Sequence, residues 1–310
     1  MKYLSFLLLF ISLNVYALPY LISDCEVIYF GIQGSQNNNK ALQCFIDQKD
    51  YFYVALMYAN GEGANIDYNK STEYFVKAIS DHQNSLSLQE EAFKNALDKR
   101  IQNSAEQYEK IDFCNDLAGD TYTTNKCAYI SGELANLEDK KRYNLIKTGM
   151  KIGSQRAFDK LLDLFLVFRK KDSLRMYQLY IGGTIRDIAF SGQETYLNTN
   201  FNGLVNDIVK ERTVVIADLP ALKLSDDILN KIYSEKLKKY RSEYSENQDY
   251  KDLLKISKEA QRAWISYRDQ WVTLCISLDF KELNKDIIET SIKTTLTKLR
   301  NEELQYDPME

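Results

Sequence analysis

The distribution of proline constrains the fold of this chain more than any other sequence feature. Only three prolines occur in 310 residues, at positions 19, 220 and 308. Because proline removes a backbone donor and its ring clashes with the preceding helical turn, stretches without it can form uninterrupted helices. Residues 20–219 are such a stretch, and residues 221–307 contain neither proline nor glycine. The chain is therefore predicted to be all-α.

The last third, residues 220–310, shows three apolar stripes at helical spacing. Residues three and four positions apart lie on one face of a helix, so three stripes can close a shared core. The stripes are Leu229, Tyr233, Leu237, Tyr240 and Tyr244, then Ala260, Trp264, Tyr267, Trp271 and Leu274, then Ile288, Ile292, Thr295 and Leu299. Ser225, followed by two aspartates, predicts the start of the first helix. We predict a three-helix domain here.

The N-terminus has the layout of a secretory signal peptide. Lys2 precedes an apolar run over residues 3–13, and Val15 and Ala17 supply the small residues of a cleavage site. The run is shorter than the roughly 20 apolar residues that span a bilayer. We predict cleavage after Ala17 and export to the periplasm, with no membrane anchor.

Net charge limits the class of partner. Without residues 1–17 the balance is 39 basic against 44 acidic residues, a net charge of −5. A nucleic-acid-binding protein would show a basic face, so that class is excluded. A basic protein partner is compatible with this charge.

Five cysteines become informative if the chain is exported, because disulfides form in oxidising compartments. The local pairings are Cys25 with Cys44 and Cys114 with Cys127. Four cysteines allow three connectivities, so the sequence leaves the pairing open. Cys275 is predicted to be a small buried residue on a helix.

A short sequence pattern occurs twice in the first third of the chain. Residues 40–46 and 70–76 share a pattern at an offset of 30 residues, which is within the range of helical repeats. Between them lie an apolar run, two glycines and an acidic helix start. This order predicts a helical hairpin.

This stretch, roughly residues 24–82, resembles the Sel-one-like repeat, a variant of the tetratricopeptide repeat. The matching residues are Leu56, Tyr58, Gly61, Gly63, Asp67, Lys70, Tyr74, Lys77 and Ala78. The sequence departs from that repeat at Ala55 and Ser71. The resemblance implies a concave surface for protein contacts and no catalysis. We predict one good copy and a half copy within a repeat region, residues 18–110, and a further helix over residues 86–109.

The middle region, residues 111–219, is predicted to be helical with a local disulfide. Helical patterns cover residues 133–149 and 154–170. Gly182 and Gly183 precede a threonine, but the Lys-Ser/Thr of a phosphate-binding loop is missing, so we predict a turn.

Three pieces of the last third together resemble the LprI-type lysozyme-inhibitor family over roughly residues 222–306. The matching residues are Asn230 and Tyr233 in the first piece, Gln261, Trp264, Tyr267, Arg268 and Asp269 in the second, and Leu296 and Arg300 in the third. The resemblance implies a small helical envelope domain that inhibits lysozyme-type muramidases. The sequence departs from the family because the paired cysteines of its first two helices are missing. The Cys114 and Cys127 pair resembles the start of longer proteins that carry this domain.

Elementary physics gives this motif a structural interpretation. Trp264, Tyr267 and Trp271 lie on one helical face and are predicted to form core. Arg268 and Asp269 flank that face and are expected to bond neighbouring helices. Asn230 is expected to cap or bridge a backbone group.

No catalytic constellation stands out. His82 is the only histidine and has no zinc-ligand spacing or nucleophile motif around it. The 44 acidic residues leave a two-carboxylate glycosidase open without indicating a pair. We predict a non-enzymatic protein without metal or cofactor.

Two functions follow. The first is a periplasmic protein-binding scaffold or adaptor for another envelope protein, such as a component of a secretion or wall-remodelling machine. The alternative is an inhibitor of lysozyme-type muramidases through the C-terminal domain. Most of the chain lies outside that domain, which favours the scaffold.

Overall fold

A computed structural model describes residues 22–32, 34–80, 85–103, 109–183, 185–244, 248–280 and 283–305. The predicted signal peptide and His82 lie outside the described residues, so export and cleavage after Ala17 stay predictions. Among the described helices, none is both long and apolar enough to cross a membrane.

The described residues form helices and no strand, which confirms the predicted all-α fold. The chain divides into two compact units, residues 1–83 and 84–310. The helices of the first unit are α1 Asp24–Phe30, α2 Asn38–Gln48, α3 Tyr51–Asn60 and α4 Tyr68–Ile79. Those of the second are α5 Leu88–Gln102, α6 Thr121–Thr148, α7 Ile152–Leu179, α8 Arg186–Leu204, α9 Leu219–Tyr244, α10 Gln248–Ser277 and α11 Lys285–Gln305.

The first unit consists of two helical hairpins that repeat at an offset of 30 residues. Asn37 caps α2 by accepting from the Lys40 backbone N–H at 3.0 Å, and Asp67 caps α4 by accepting from the Lys70 N–H at 2.9 Å. Gly31 and Gly61, also 30 residues apart, end α1 and α3 in the left-handed conformation. The sequence predicted a half copy before the good one, and the hairpin of α1 and α2 at that position is compatible with a repeat.

Two glycines fix the turn between α3 and α4. Gly61 has φ +68° and Gly63 has φ +75°, a region that side chains rarely adopt. A Cβ at Gly63 would lie 2.4 Å from the backbone oxygen of Asn38. The turn therefore packs directly against the start of α2. This contact joins the two hairpins.

The second unit has one hydrophobic core to which α6–α11 contribute. Phe165 of α7 stacks on Phe201 of α8 at 4.1 Å between ring centroids, and Phe168 stacks on Tyr267 of α10 at 5.5 Å. Trp271, which is fully buried, lies 5.8 Å from Phe201. The C-terminal helices therefore share their core with the middle region.

The predicted domain boundaries do not coincide with the boundary between these two units. The boundaries near residue 110 and at 219/220 both fall inside the second unit. Both boundaries stay predictions. However, the aromatic residues of α9–α11 are buried partly by α7 and α8, because all five helices contribute to one core.

The start of α9 differs from the prediction. The helix begins at Leu219, where the Asp218 carboxylate accepts from the Ala221 N–H at 2.9 Å. Pro220 lies in the first turn, where its missing N–H costs no hydrogen bond. Ser225 is buried inside the helix, and its hydroxyl donates to the Leu222 carbonyl. The predicted start at Ser225 is therefore wrong.

A non-helical segment leads into α9. After α8 the chain forms a π-helical stretch, Val205–Lys210, and residues 212–218 are then non-helical. The turn predicted at Gly182 is present between α7 and α8, with φ +82°.

Candidate functional site

The aromatic residues of the LprI-like motif lie in the core. Trp264 is 2% exposed and Tyr267 is 4% exposed. Tyr267 is enclosed between the rings of Phe168 and Trp271, and burial raises the pKa of its hydroxyl. Neither ring can be a main contact for a partner protein, because both are already covered by this chain.

Arg268 connects the motif helix to α9. Its guanidinium lies over the Trp264 ring, 5.1 Å from the centroid, and 3.6 Å from the Asp226 carboxylate. It also donates to the neighbouring Asp269 at 3.1 Å. Asp226 in turn accepts from the Thr297 hydroxyl of α11 at 3.4 Å. The arginine and Asp226 therefore hold α9, α10 and α11 together.

Arg300 is the buried centre of a polar network. Its guanidinium donates to Asp172 at 2.8 Å, to Glu303 at 3.0 Å and to the Gln261 side chain at 3.3 Å. It also lies over the Phe168 ring, 5.0 Å from the centroid. Two motif residues, Gln261 and Arg300, thus meet inside the second unit and contact the middle region there.

Asp172 of α7 completes this network and was not predicted from the sequence. Arg175 donates to both carboxylate oxygens, at 3.0 and 3.2 Å, and Gln193 donates at 2.8 Å. Burial opposes the charge, but the guanidinium groups of Arg175 and Arg300 outweigh it and hold the pKa of Asp172 well below its usual range. A signal for this residue existed, because it continues the apolar stripe of α7 at helical spacing, where a charge is unexpected. That stripe consists of Phe158, Leu161, Phe165 and Phe168.

The two motif residues of α9 lie farther out. Asn230 is exposed on α9, and its role as a cap or a bridge to a backbone group stays a prediction. Tyr233 is half-buried, and burial raises the pKa of its hydroxyl.

The residues of the Sel-like motif lie in the hairpin of α3 and α4. Leu56 is fully buried, Asp67 caps α4 and Ala78 is half-buried. The rings of Tyr58 and Tyr74 stack at 5.7 Å. Lys70 lies over the first ring and Lys77 over the second, 5.1 and 4.8 Å from the centroids.

Both local disulfides are present. Cys25 bonds Cys44, and Cys114 bonds Cys127. Cys275 is free and fully buried, and burial raises the pKa of its thiol to about 12.

A surface groove lies between the segment leading into α9 and helix α11. We call it the acidic groove; its volume is about 1150 Å³. Val215, Ile216 and Leu219 form apolar parts of its lining and are 72%, 57% and 70% exposed. Four carboxylates and one ammonium group also line it, those of Asp218, Asp286, Glu289, Glu302 and Lys298. The groove is thus apolar at one wall and carries an excess of negative charge.

The comparison with protein families supports the resemblance of the C-terminal third. A family described as Lysozyme inhibitor LprI matches residues 219–304. The matched range covers α9, α10 and α11 and does not extend to α5–α8 or to the first unit. Comparisons with curated proteins and with solved structures gave no match.

Proposed function

We propose that this protein is an exported, non-enzymatic inhibitor that binds a lysozyme-type muramidase through its C-terminal helices. The observation that carries the proposal is the match of residues 219–304 to the lysozyme inhibitor family. Two disulfides are consistent with an oxidising compartment outside the cytoplasm. The match favours the inhibitor over the scaffold, which reverses the order suggested by chain length.

The experiment is a titration of a c-type lysozyme with purified residues 18–310. The initial rate of cell-wall lysis should fall linearly to a low plateau near one equivalent, as expected for a stoichiometric inhibitor. A matched sample that has been unfolded, reduced and alkylated should not inhibit. Unchanged lysis at a tenfold excess of folded protein, together with no binding by calorimetry, would refute the proposal.

A second function, the envelope scaffold, rests on the first unit. Its paired hairpins are compatible with repeats that bind proteins, and Tyr58 and Tyr74 form a half-exposed aromatic face with Lys70 and Lys77 over the rings. Aromatic side chains such as these tyrosines are enriched in protein interfaces. The partner proposed is a component of a secretion or wall-remodelling machine.

Crosslinking in intact cells tests the scaffold. The full chain should capture a specific envelope protein, and a Tyr58→Ser/Tyr74→Ser variant should lose it while keeping lysozyme inhibition. A variant at an exposed position of the second unit, Lys94→Ser, serves as the control. Equal capture by all three chains would exclude this face as the binding surface.

A further inference from the structure

We propose that the acidic groove is the surface on which the cationic muramidase docks. This inference rests on the proposed function and adds the location and chemistry of the contact. The matched region needs such a surface, because Trp264, Tyr267 and Arg300 of its motif are buried within the chain. These three residues build the fold, so the contact comes from residues outside the buried part of the motif.

The backbone of the groove wall is held in place before any partner arrives. The Thr213 N–H donates to the Asp207 carbonyl at 2.9 Å, and the Ala217 N–H donates to the Ser291 hydroxyl of α11 at 3.0 Å. The Arg212 guanidinium donates to the Leu278 carbonyl at 3.0 Å. Three contacts within seven residues fix an otherwise non-helical segment, so binding costs less ordering entropy.

The fixed segment presents apolar side chains to solvent. Val215, Ile216 and Leu219 are all more than half exposed and line the same groove. Single exposed apolar residues are ordinary, whereas three that line one groove offer a candidate apolar contact for a partner. These side chains can serve as the apolar anchors around which a polar rim closes.

The charge of the rim selects the occupant. Glu289 is ion-paired with Lys293 of the same helix. The other three carboxylates face one ammonium group, that of Lys298, and this excess of negative charge attracts a cationic surface and speeds its encounter. A second copy of this chain would bring the same negative charges together, and an anionic membrane surface would be repelled in the same way. Lysozymes are basic, so the groove and the partner implied by the family match are complementary.

Charge reversal distinguishes lysozyme binding at the groove from binding elsewhere on the surface. Glu289→Lys/Glu302→Lys reverses two rim carboxylates, neither of them in the first turn of α11. Because Glu289 also pairs with Lys293, the thermal midpoint of this variant is measured alongside its affinity. The control, Asp163→Lys/Glu235→Lys, changes net charge equally at exposed positions on α7 and α9. The dissociation constant for a c-type lysozyme, measured by calorimetry on residues 18–310, should rise at least tenfold in the groove variant and less than threefold in the control.

Two further measurements test the apolar and electrostatic parts. Val215→Ser/Ile216→Ser should also raise the dissociation constant at least tenfold with an unchanged thermal midpoint, because both side chains are already exposed. Affinity of the unmodified chain should fall as salt rises and should fall when lysozyme lysines are acetylated. The groove charge variant should lose most of that salt dependence.

The outcomes distinguish this inference from the proposed function. Lysozyme binding that is unaffected by both groove variants would overturn the groove and leave the inhibitor function standing. A concentration-dependent dimer that both groove variants dissolve would show that a second copy occupies the groove and would also overturn the inference. No lysozyme binding by the unmodified chain would overturn the groove and the function together.

Discussion

At the residue scale, the buried carboxylate of Asp172 joins parts of the second unit that are 128 residues apart, through its contact with Arg300. Asp172→Asn should destabilise the chain by about 3–5 kcal/mol, because it leaves Arg175 and Arg300 buried without a full counter-charge. Asp163→Asn on the exposed face of the same helix is the control. Equal denaturation midpoints for the two variants would contradict the importance of this network.

The same network predicts a dependence on pH. The pKa of Asp172 is lowered in the folded chain, so its contribution to stability is present above the ordinary carboxyl pKa and is lost as pH falls. The contribution of Glu303 to stability has the opposite pH dependence, because burial raises the pKa of its carboxyl group. The stability difference between the unmodified chain and Asp172→Asn should therefore shrink between about pH 5 and pH 2. Urea unfolding at several pH values measures it, and a constant difference would be inconsistent with the ion pairs.

Gly63 provides a prediction for the first unit. Gly63→Ala should cost about 3 kcal/mol, because the new Cβ meets the Asn38 backbone at 2.4 Å and the positive φ is unfavourable for alanine. Gly34→Ala is the matched control, since a Cβ there meets nothing within 4 Å. Hydrogen exchange of α2 and α4 should accelerate only in the first variant. Similar protection in both would show that the turn can relax at little cost.

At the scale of elements, the Cys25–Cys44 disulfide ties α1 to α2, although α1 has only seven residues. Closing a loop with a sequence separation of 19 stabilises by about 3 kcal/mol through the unfolded state. Cys25→Ala/Cys44→Ala should therefore lower the protection of the first unit against hydrogen exchange by about that amount. Cys114→Ala/Cys127→Ala removes a disulfide from the second unit and should leave the first unit unchanged. Equal loss of protection in both variants would contradict a local effect.

Elements governed by local chemistry could be predicted from the sequence. The apolar periodicity predicted α6, α7 and the three C-terminal helices, and the glycines predicted the turns at Gly61 and Gly182. The start of α9 could not be predicted, because Ser225 and Asp218 have equivalent capping chemistry and only tertiary packing buries the first of them.

Long-range contacts could not be predicted from the sequence for a different reason. A helical stripe shows that a face is buried but does not identify the helix that covers it. Phe168 and Tyr267 each continue such a stripe, and only the fold brings their rings together. The acidic groove could not be predicted for the same reason. Val215 and Ile216 precede α9 in sequence, while Ser291, which accepts from the adjacent Ala217 N–H, lies in α11.

At the scale of the whole molecule, the region that matches the inhibitor family is smaller than the unit that folds. Residues 219–304 supply Arg300, Tyr267 and Trp271, but Asp172, Phe168 and Phe201 of the middle region cover them. A fragment of residues 220–310 would expose these aromatic rings and leave Arg300 without Asp172. The C-terminal helices should therefore depend on α7 and α8 for a unique packed state.

Two fragments test this dependence. Residues 84–310 should unfold cooperatively and show the near-ultraviolet circular dichroism of a packed Trp264 and Trp271, because they retain the whole core. Residues 220–310 should keep helical far-ultraviolet signal at most, without the near-ultraviolet signal, as in a molten globule. Only residues 84–310 should inhibit lysozyme. The reason is that the groove is formed by a segment that is hydrogen-bonded to Asp207 and Leu278 as well as to α11. Cooperative unfolding of residues 220–310 would instead establish the C-terminal helices as an independent domain, and the buried network would then be an interface that joins it to the rest of the unit.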